Sequence, residues 1–83
     1  MRVLTTDVFC GSYLLTRGGR LVEILVDRSN VHPSGTFVLE GPDDLLGAQE
    51  TYSRGESTAN VKEIRDGVTL LRGRLARALR HVA

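Results

Sequence analysis

Arginine side chains cluster near the C-terminal end of the chain, where they could bind phosphate or carboxylate groups. From Leu70 onward the sequence contains four arginines, one histidine and no acidic residue. Nucleic-acid-binding helices use such side chains to neutralise phosphates. Here the arginines spread around the solvent side of a helix, and no aromatic residue lies between them to stack on bases. A solvated helix face is therefore predicted, and the alternative is nucleic-acid binding by Arg72, Arg74, Arg77 and Arg80.

Acidic side chains dominate the middle of the chain and could bind a basic partner. Between Glu40 and Asp66 there are seven acidic and three basic residues. Carboxylates in such a cluster can mimic nucleic-acid phosphates against a basic protein surface. They can also be simply solvated, and the acidic pair after Pro42 suits the first turn of a helix. The candidate acidic binding residues are Glu40, Asp43, Asp44 and Glu50.

Cys10 is the single cysteine of the chain, so no internal disulfide bond can form. A nucleophilic cysteine needs a base within reach and a lowered pKa. The two histidines are His32 and His81, and no motif links either of them to Cys10. We expect a buried cysteine at the end of a strand and no enzyme activity. A small enzyme with Cys10 as its nucleophile is an alternative.

The motifs that could bind a metal, a cofactor or a phosphate are incomplete. The sequence has no Cys-x-x-Cys pair, no His-x-x-x-His pair and no acidic calcium loop, which are common arrangements of metal ligands. Gly18-Gly19-Arg20 places two glycines before a base, but a phosphate loop needs a longer glycine pattern that opens a helix. We therefore expect no metal and no cofactor, and we interpret Gly18-Gly19 as a turn.

The strands that would position these residues follow from β-branched and aromatic runs bounded by turn residues. Strands are predicted over residues 3–9, 12–17, 20–27 and 36–40, with Gly18-Gly19 as a two-residue hairpin turn. One face of that hairpin would carry the core residues Tyr13, Leu15, Val22, Ile24 and Val26. The other face would be partly apolar and would bind a partner through Leu14, Leu21, Glu23 and Leu25.

The stretch from Val61 to Val82 has the clearest periodicity in the chain. Its apolar residues are separated by alternating steps of three and four, which places them along one side of a helix. They are Val61, Ile64, Val68, Leu71, Leu75, Ala78 and Val82. Asn60 and Glu63 have the spacing of a capping box at its start. We expect this helix to cover the core face of the sheet, preceded over residues 43–54 by a short helix or a fifth strand.

The predicted fold is α+β: a four-stranded antiparallel β-meander packed on one face by a long C-terminal α-helix. All 83 residues, 41% hydrophobic and 25% charged, would form one domain, residues 1–83. The net charge of +1 is too small to predict, by itself, binding to a highly charged partner such as nucleic acid. The N-terminus does not resemble a signal peptide, and every apolar run is too short to cross a bilayer. We therefore expect a cytoplasmic protein without membrane contact.

The incomplete catalytic motifs and the half-apolar second face of the hairpin predict a small non-catalytic protein-binding module. Its partner would be another protein or a second copy of the chain. In size and in sheet-plus-helix outline, the chain resembles some small phage-encoded inhibitors, such as anti-CRISPR proteins. That resemblance covers architecture alone and transfers no functional residue. It implies an inhibitor of a larger protein or nucleoprotein machine.

Overall fold

Three strands and three helices make up the part of the chain that the structure, a computed structural model, describes: residues 1–29 and 31–80. They are β1 (Arg2–Thr5), α1 (Val8–Thr16), β2 (Arg20–Asp27), β3 (Ser34–Glu40), α2 (Leu45–Ser53) and α3 (Val61–Arg80). The predicted α+β class, antiparallel sheet and long C-terminal helix are confirmed. The prediction of four strands is wrong, and residues 43–54 contain a helix, not a fifth strand. His81 and Val82, at the end of the predicted helix, lie outside the described residues.

The sheet has the strand order β1-β3-β2, and β3 is antiparallel to both of its neighbours. β1 and β2 therefore run parallel to each other on either side of β3. Strands that run in the same direction need a long crossover connection, and α1 provides it. β1, α1 and β2 form a split β-α-β unit into which β3 is inserted.

Residues 8–16 form helix α1, so the prediction of a second strand over residues 12–17 is wrong. Asp7 begins the helix, and its Oδ1 accepts hydrogen bonds from the main-chain N–H groups of Phe9 at 2.9 Å and Cys10 at 3.3 Å. This is the usual role of an N-cap aspartate. The same helix ends the predicted first strand early, at Thr5.

Gly18 and Gly19 end α1 instead of forming a hairpin turn. Gly18 has a φ of 93°, and the N–H of Gly19 donates to the carbonyl oxygen of Leu14 at 2.9 Å. The N–H of Gly18 donates to the carbonyl oxygen of Leu15 at 3.4 Å. Together these features define a Schellman motif, which favours glycine in the left-handed region. Because there is no hairpin, the predicted register that placed Leu14 on a sheet face is wrong.

The hydrophobic core lies between one face of the sheet and the helices. Leu14 is 0% exposed there, so it cannot belong to an open partner-binding face. The buried cluster consists of Val3, Cys10, Leu14, Phe37, Leu39, Leu45 and Leu71. From the predicted apolar side of α3, Val68 and Leu71 are buried, whereas Val61 is exposed.

A β-bulge in β2 decides which of its side chains face the helices. Leu21 and Glu23 lie opposite consecutive residues of β3, so Val22 is the extra residue. A shift of one residue moves the following side chains to the other face of a sheet. The bulge therefore places Leu21 and Glu23 on opposite faces of the sheet. Leu21 faces the core and packs against it, so its prediction as a surface residue is wrong. Glu23 and Leu25 lie on the outer face, away from the helices.

Helices α1 and α3 cross at close range around Ser12 and Gly67. Ser12 is fully buried, and its Oγ donates a hydrogen bond to the carbonyl oxygen of Ile64 at 2.7 Å. A Cβ atom on Gly67 would overlap Ser12 Oγ. Glycine inside a helix costs about 1 kcal/mol relative to alanine. At Gly67 this cost is offset by the close approach that the absent side chain allows.

Replacing Gly67 with alanine is expected to lower the free energy of unfolding by about 1–3 kcal/mol, the usual cost of overpacking a tight contact. Gly73 is the matched control, because a Cβ atom there would have no atom within 4 Å. Gly73→Ala is expected to raise stability by about 0.5–1 kcal/mol through helix propensity. Urea unfolding followed by circular dichroism measures both effects. Equal changes in the free energy of unfolding for Gly67→Ala and Gly73→Ala would show that the helix crossing does not require glycine at residue 67.

Candidate functional site

The two outer edges of the sheet differ in how their main chains are covered. At the β1 edge, Gln49 of α2 donates a hydrogen bond from Nε2 to the carbonyl oxygen of Leu4 at 2.9 Å. Within residues 1–29 and 31–80, no group outside β3 hydrogen-bonds to the main chain of β2. An uncovered edge presents unpaired N–H and C=O groups to which another extended chain can add.

A groove of about 250 Å³ runs between this open edge of β2 and the C-terminal half of α3. The strand contributes apolar surface to the groove through Val22, which is 40% exposed, and Leu25, which is 46% exposed, lies nearby on the outer face of the sheet. The residues lining the groove are Leu21, Val22, Glu23, Ile24, Arg74, Arg77 and Ala78. The groove therefore combines an open main-chain edge, apolar side chains and two guanidinium groups.

The groove has an excess of positive charge. Arg74 and Arg77 are both exposed, and neither forms a salt bridge in the described part of the chain. Glu23 also borders the groove, but its register places its side chain on the outer face of the sheet, and it forms no salt bridge with either arginine. A ligand that carries carboxylates or phosphates would therefore be attracted to the helix side of the groove.

The four predicted arginines do not share one surface. Arg72 lies on the other side of α3, where its guanidinium carbon is 5.8 Å from the ring centroid of Phe9, within cation–π range. Arg80 is exposed and lies about 180° around the helix from the buried Leu71. The structure brings Arg74 and Arg77 together at the groove and separates them from Arg72.

The predicted acidic residues are also dispersed. Glu40 is at the end of β3 and pairs with Arg2 at 2.6 Å and with Arg20 at 3.7 Å. The hydrogen bond and charge of Arg2 lower the pKa of the Glu40 carboxyl group. Asp43 and Asp44 lie in the turn before α2. Asp44 and Glu50 line a depression that also contains Glu56, Arg17 and Arg54, where Arg54 pairs with Glu56 at 2.6 Å.

Cys10 is 3% exposed in the core of the protein. Burial raises the pKa of its thiol above the ordinary value of 9.0, which is opposite to what a nucleophilic cysteine needs. His32 is exposed in the loop between β2 and β3, and His81 lies outside the described residues. Among the described residues, no three His, Cys, Asp or Glu side chains converge as metal ligands would.

A thiol reagent such as an aromatic disulfide is expected to react with native Cys10 at pH 8 at least about tenfold more slowly than with the unfolded chain, because burial blocks access and disfavours the thiolate. The reaction is followed by the absorbance of the released thiol, in buffer and in denaturant. Because burial raises the pKa of the Cys10 thiol, the rate in buffer should go on rising to a higher pH than the rate in denaturant. Native reactivity equal to that of the unfolded chain would contradict this placement and revive the enzyme alternative.

Two further surface features were missed by sequence reasoning. Leu4 is exposed on the outer face of the sheet, beside the nearly fully buried Val38 and on the same face as Leu25, which was predicted to be exposed. A depression of about 350 Å³ lies between the start of α3 and the aromatic residues of α1 and α2. In it the Tyr13 and Tyr52 ring centroids are 6.1 Å apart, and Tyr52 Oη donates to Asp7 Oδ2 at 3.0 Å. No sequence signal pairs Tyr13 with Tyr52, because their proximity depends on how α1 packs on α2.

Comparisons of the chain with protein-family models, with curated protein sequences and with solved structures give no significant match. Within the described residues, no helix has the length and apolar character needed to cross a bilayer.

Proposed function

We propose that this protein is a small non-catalytic protein-binding module, and that its partner binds along the open edge of β2. The observation that carries this proposal is the contrast between the two sheet edges. At the β1 edge Gln49 bonds the carbonyl oxygen of Leu4, whereas in the described part of the chain no such bond reaches the β2 edge, which lies beside a groove. Addition of a partner strand to such an edge is a common mode of peptide recognition, in which main-chain hydrogen bonds supply affinity.

The side chains beside the open edge support the same proposal. Val22 and Leu25 expose apolar surface next to unpaired main-chain groups. Burial of such side chains contributes about 25 cal/mol for each Å² removed from water. A partner strand would therefore gain both hydrogen bonds and apolar contacts at one place on the surface.

A module without a catalytic group acts by occupying a surface of its partner. Within this proposal the protein is an inhibitor of a larger protein or nucleoprotein machine, which is the role implied by its resemblance to small phage-encoded inhibitors. Nucleic-acid binding is less well supported as the alternative, because Arg72 lies on a different side of α3 from Arg74 and Arg77. The acidic residues are less well supported as a binding surface, because they are dispersed and partly paired.

The proposal predicts that Val22→Glu combined with Leu25→Glu abolishes partner capture without unfolding the protein. Leu70→Glu is the control. Leu70 is 47% exposed and Leu25 is 46% exposed, but Leu70 lies on α3, away from the β2 edge. Tagged protein is incubated with lysate of its native cell, with and without nuclease, and retained proteins are identified by mass spectrometry. A specific partner should be retained by the unmodified protein and by Leu70→Glu, and lost from the double variant.

Two controls give this experiment a clear result. Unfolding measurements should place the variants within about 0.5 kcal/mol of the unmodified protein, as is usual for surface substitutions. Partner capture that is unaffected by the double substitution would contradict binding at the β2 edge. Capture that disappears after nuclease treatment would favour nucleic-acid binding by the C-terminal arginines.

A further inference from the structure

We infer that the partner segment bound along β2 is an extended peptide with acidic residues at every second position and apolar residues between them. This inference rests on the proposed function of the β2 edge as a binding site, and it names the chemistry of the partner. It follows from the different surroundings of the two faces of the open edge.

A strand that adds to an edge lies about 4.8 Å from its neighbour and directs successive side chains to opposite faces of the sheet. At the β2 edge, one of those faces is covered by the C-terminal half of α3. Arg74, Arg77 and the strand line the same groove. The side chains of an added strand that point toward the helices would therefore lie close to these two guanidinium groups.

Arginine side chains favour carboxylates at these positions. Arg74 and Arg77 have no salt bridge within the described part of the chain, so both can bind an incoming anion. They are separated by about 4.5 Å along the axis of α3, and alternate residues of a strand are about 6.7 Å apart. The long arginine side chains can span this difference, and arginine–carboxylate pairs are often bidentate.

The opposite face of the added strand would meet a different surface. Leu25 lies on the outer face and is 46% exposed, so it offers apolar area there. Glu23 is also on the outer face, so a carboxylate placed there would be repelled. The outer face therefore favours apolar side chains, and the two faces together select a strand that alternates acidic and apolar residues.

A second copy of the chain does not fit this pattern. Antiparallel pairing of two β2 edges about a two-fold axis would direct Leu21, Ile24 and Val26 of each copy toward the helix side, where none of them can pair with arginine. It would also bring two pairs of unneutralised arginines, Arg74 and Arg77, toward each other. Nucleic acid fits less well, because its phosphates would bind exposed arginines anywhere on α3 and do not pair with a strand edge.

The test uses a fluorescently labelled peptide of about seven residues that alternates valine and glutamate, with counterparts that carry serine or lysine in place of glutamate. Fluorescence anisotropy at low salt measures binding to the full chain. The glutamate peptide is expected to bind roughly tenfold more tightly than the serine peptide, with affinity that falls as salt is added. The lysine peptide should bind more weakly than the serine peptide.

Arginine variants locate the site. Arg74→Gln with Arg77→Gln is expected to reduce affinity for the glutamate peptide to that for the serine peptide. Arg72→Gln with Arg80→Gln is the matched control, since it removes the same charge from the same helix and should retain most of the affinity. Hydrogen exchange adds an independent readout, because peptide binding should slow exchange of main-chain amides in β2 and leave those in β1 unchanged.

Each other outcome overturns the inference in a recognisable way. Equal affinity for the glutamate and serine peptides, with slowed exchange in β2, would refute the acidic partner and leave the protein-binding proposal intact. Equal losses in the two double-arginine variants would show general charge attraction. A single-stranded or duplex oligonucleotide bound more tightly than the peptide, through all four arginines, would replace the inference with nucleic-acid binding. A dimer in sedimentation that Leu25→Glu dissociates would replace it with self-association.

No binding of any peptide would refute the inference, and the lysate experiment with Val22→Glu and Leu25→Glu would then decide the protein-binding proposal separately.

Discussion

The close crossing of α1 and α3 is the contact on which the rest of the structure depends. Gly67 has no side chain, so Ser12 can approach and donate its hydrogen bond to the carbonyl oxygen of Ile64. One turn further along α3, Leu71 is then fully buried in the core. The same placement sets the course of the next two turns of α3 past β2. The groove that contains Arg74 and Arg77 is therefore a consequence of the crossing.

The open edge of β2 carries two features that discourage unselective pairing. The bulge at Val22 interrupts the regular ladder, and the arginines of α3 place uncompensated positive charge beside it. Natural proteins use bulges and charges at sheet edges to prevent aggregation. Under the proposed function, the same two features would disfavour pairing with a second copy and favour an acidic strand.

Sequence reasoning succeeded where a periodic pattern or a local cap specifies an element. The alternating three- and four-residue steps predicted α3, and Asn60 caps it through hydrogen bonds from the N–H groups of Lys62 and Glu63 at 2.9 and 3.2 Å. The bounds of β2 were also predicted correctly. The run Tyr13-Leu14-Leu15 was assigned to a strand, because a short apolar run has no period that separates a buried helix from a buried strand. Gly18-Gly19 suits either a hairpin turn or the end of a helix. The choice of a hairpin paired β2 with residues 12–17, whereas β2 pairs with β3.

The sequence by itself determined an α+β chain with a long amphipathic C-terminal helix, an excess of arginine at its end and no complete catalytic motif, because these properties depend on residue type and local spacing. Only the tertiary structure decided which strand edge is open, that Leu14 and Leu21 face the core, and that Arg74 and Arg77 alone among the four arginines line the groove. These depend on a bulge and a helix crossing. Both are set by contacts between residues far apart in the chain, such as Ser12 and Ile64, for which local spacing carries no signal.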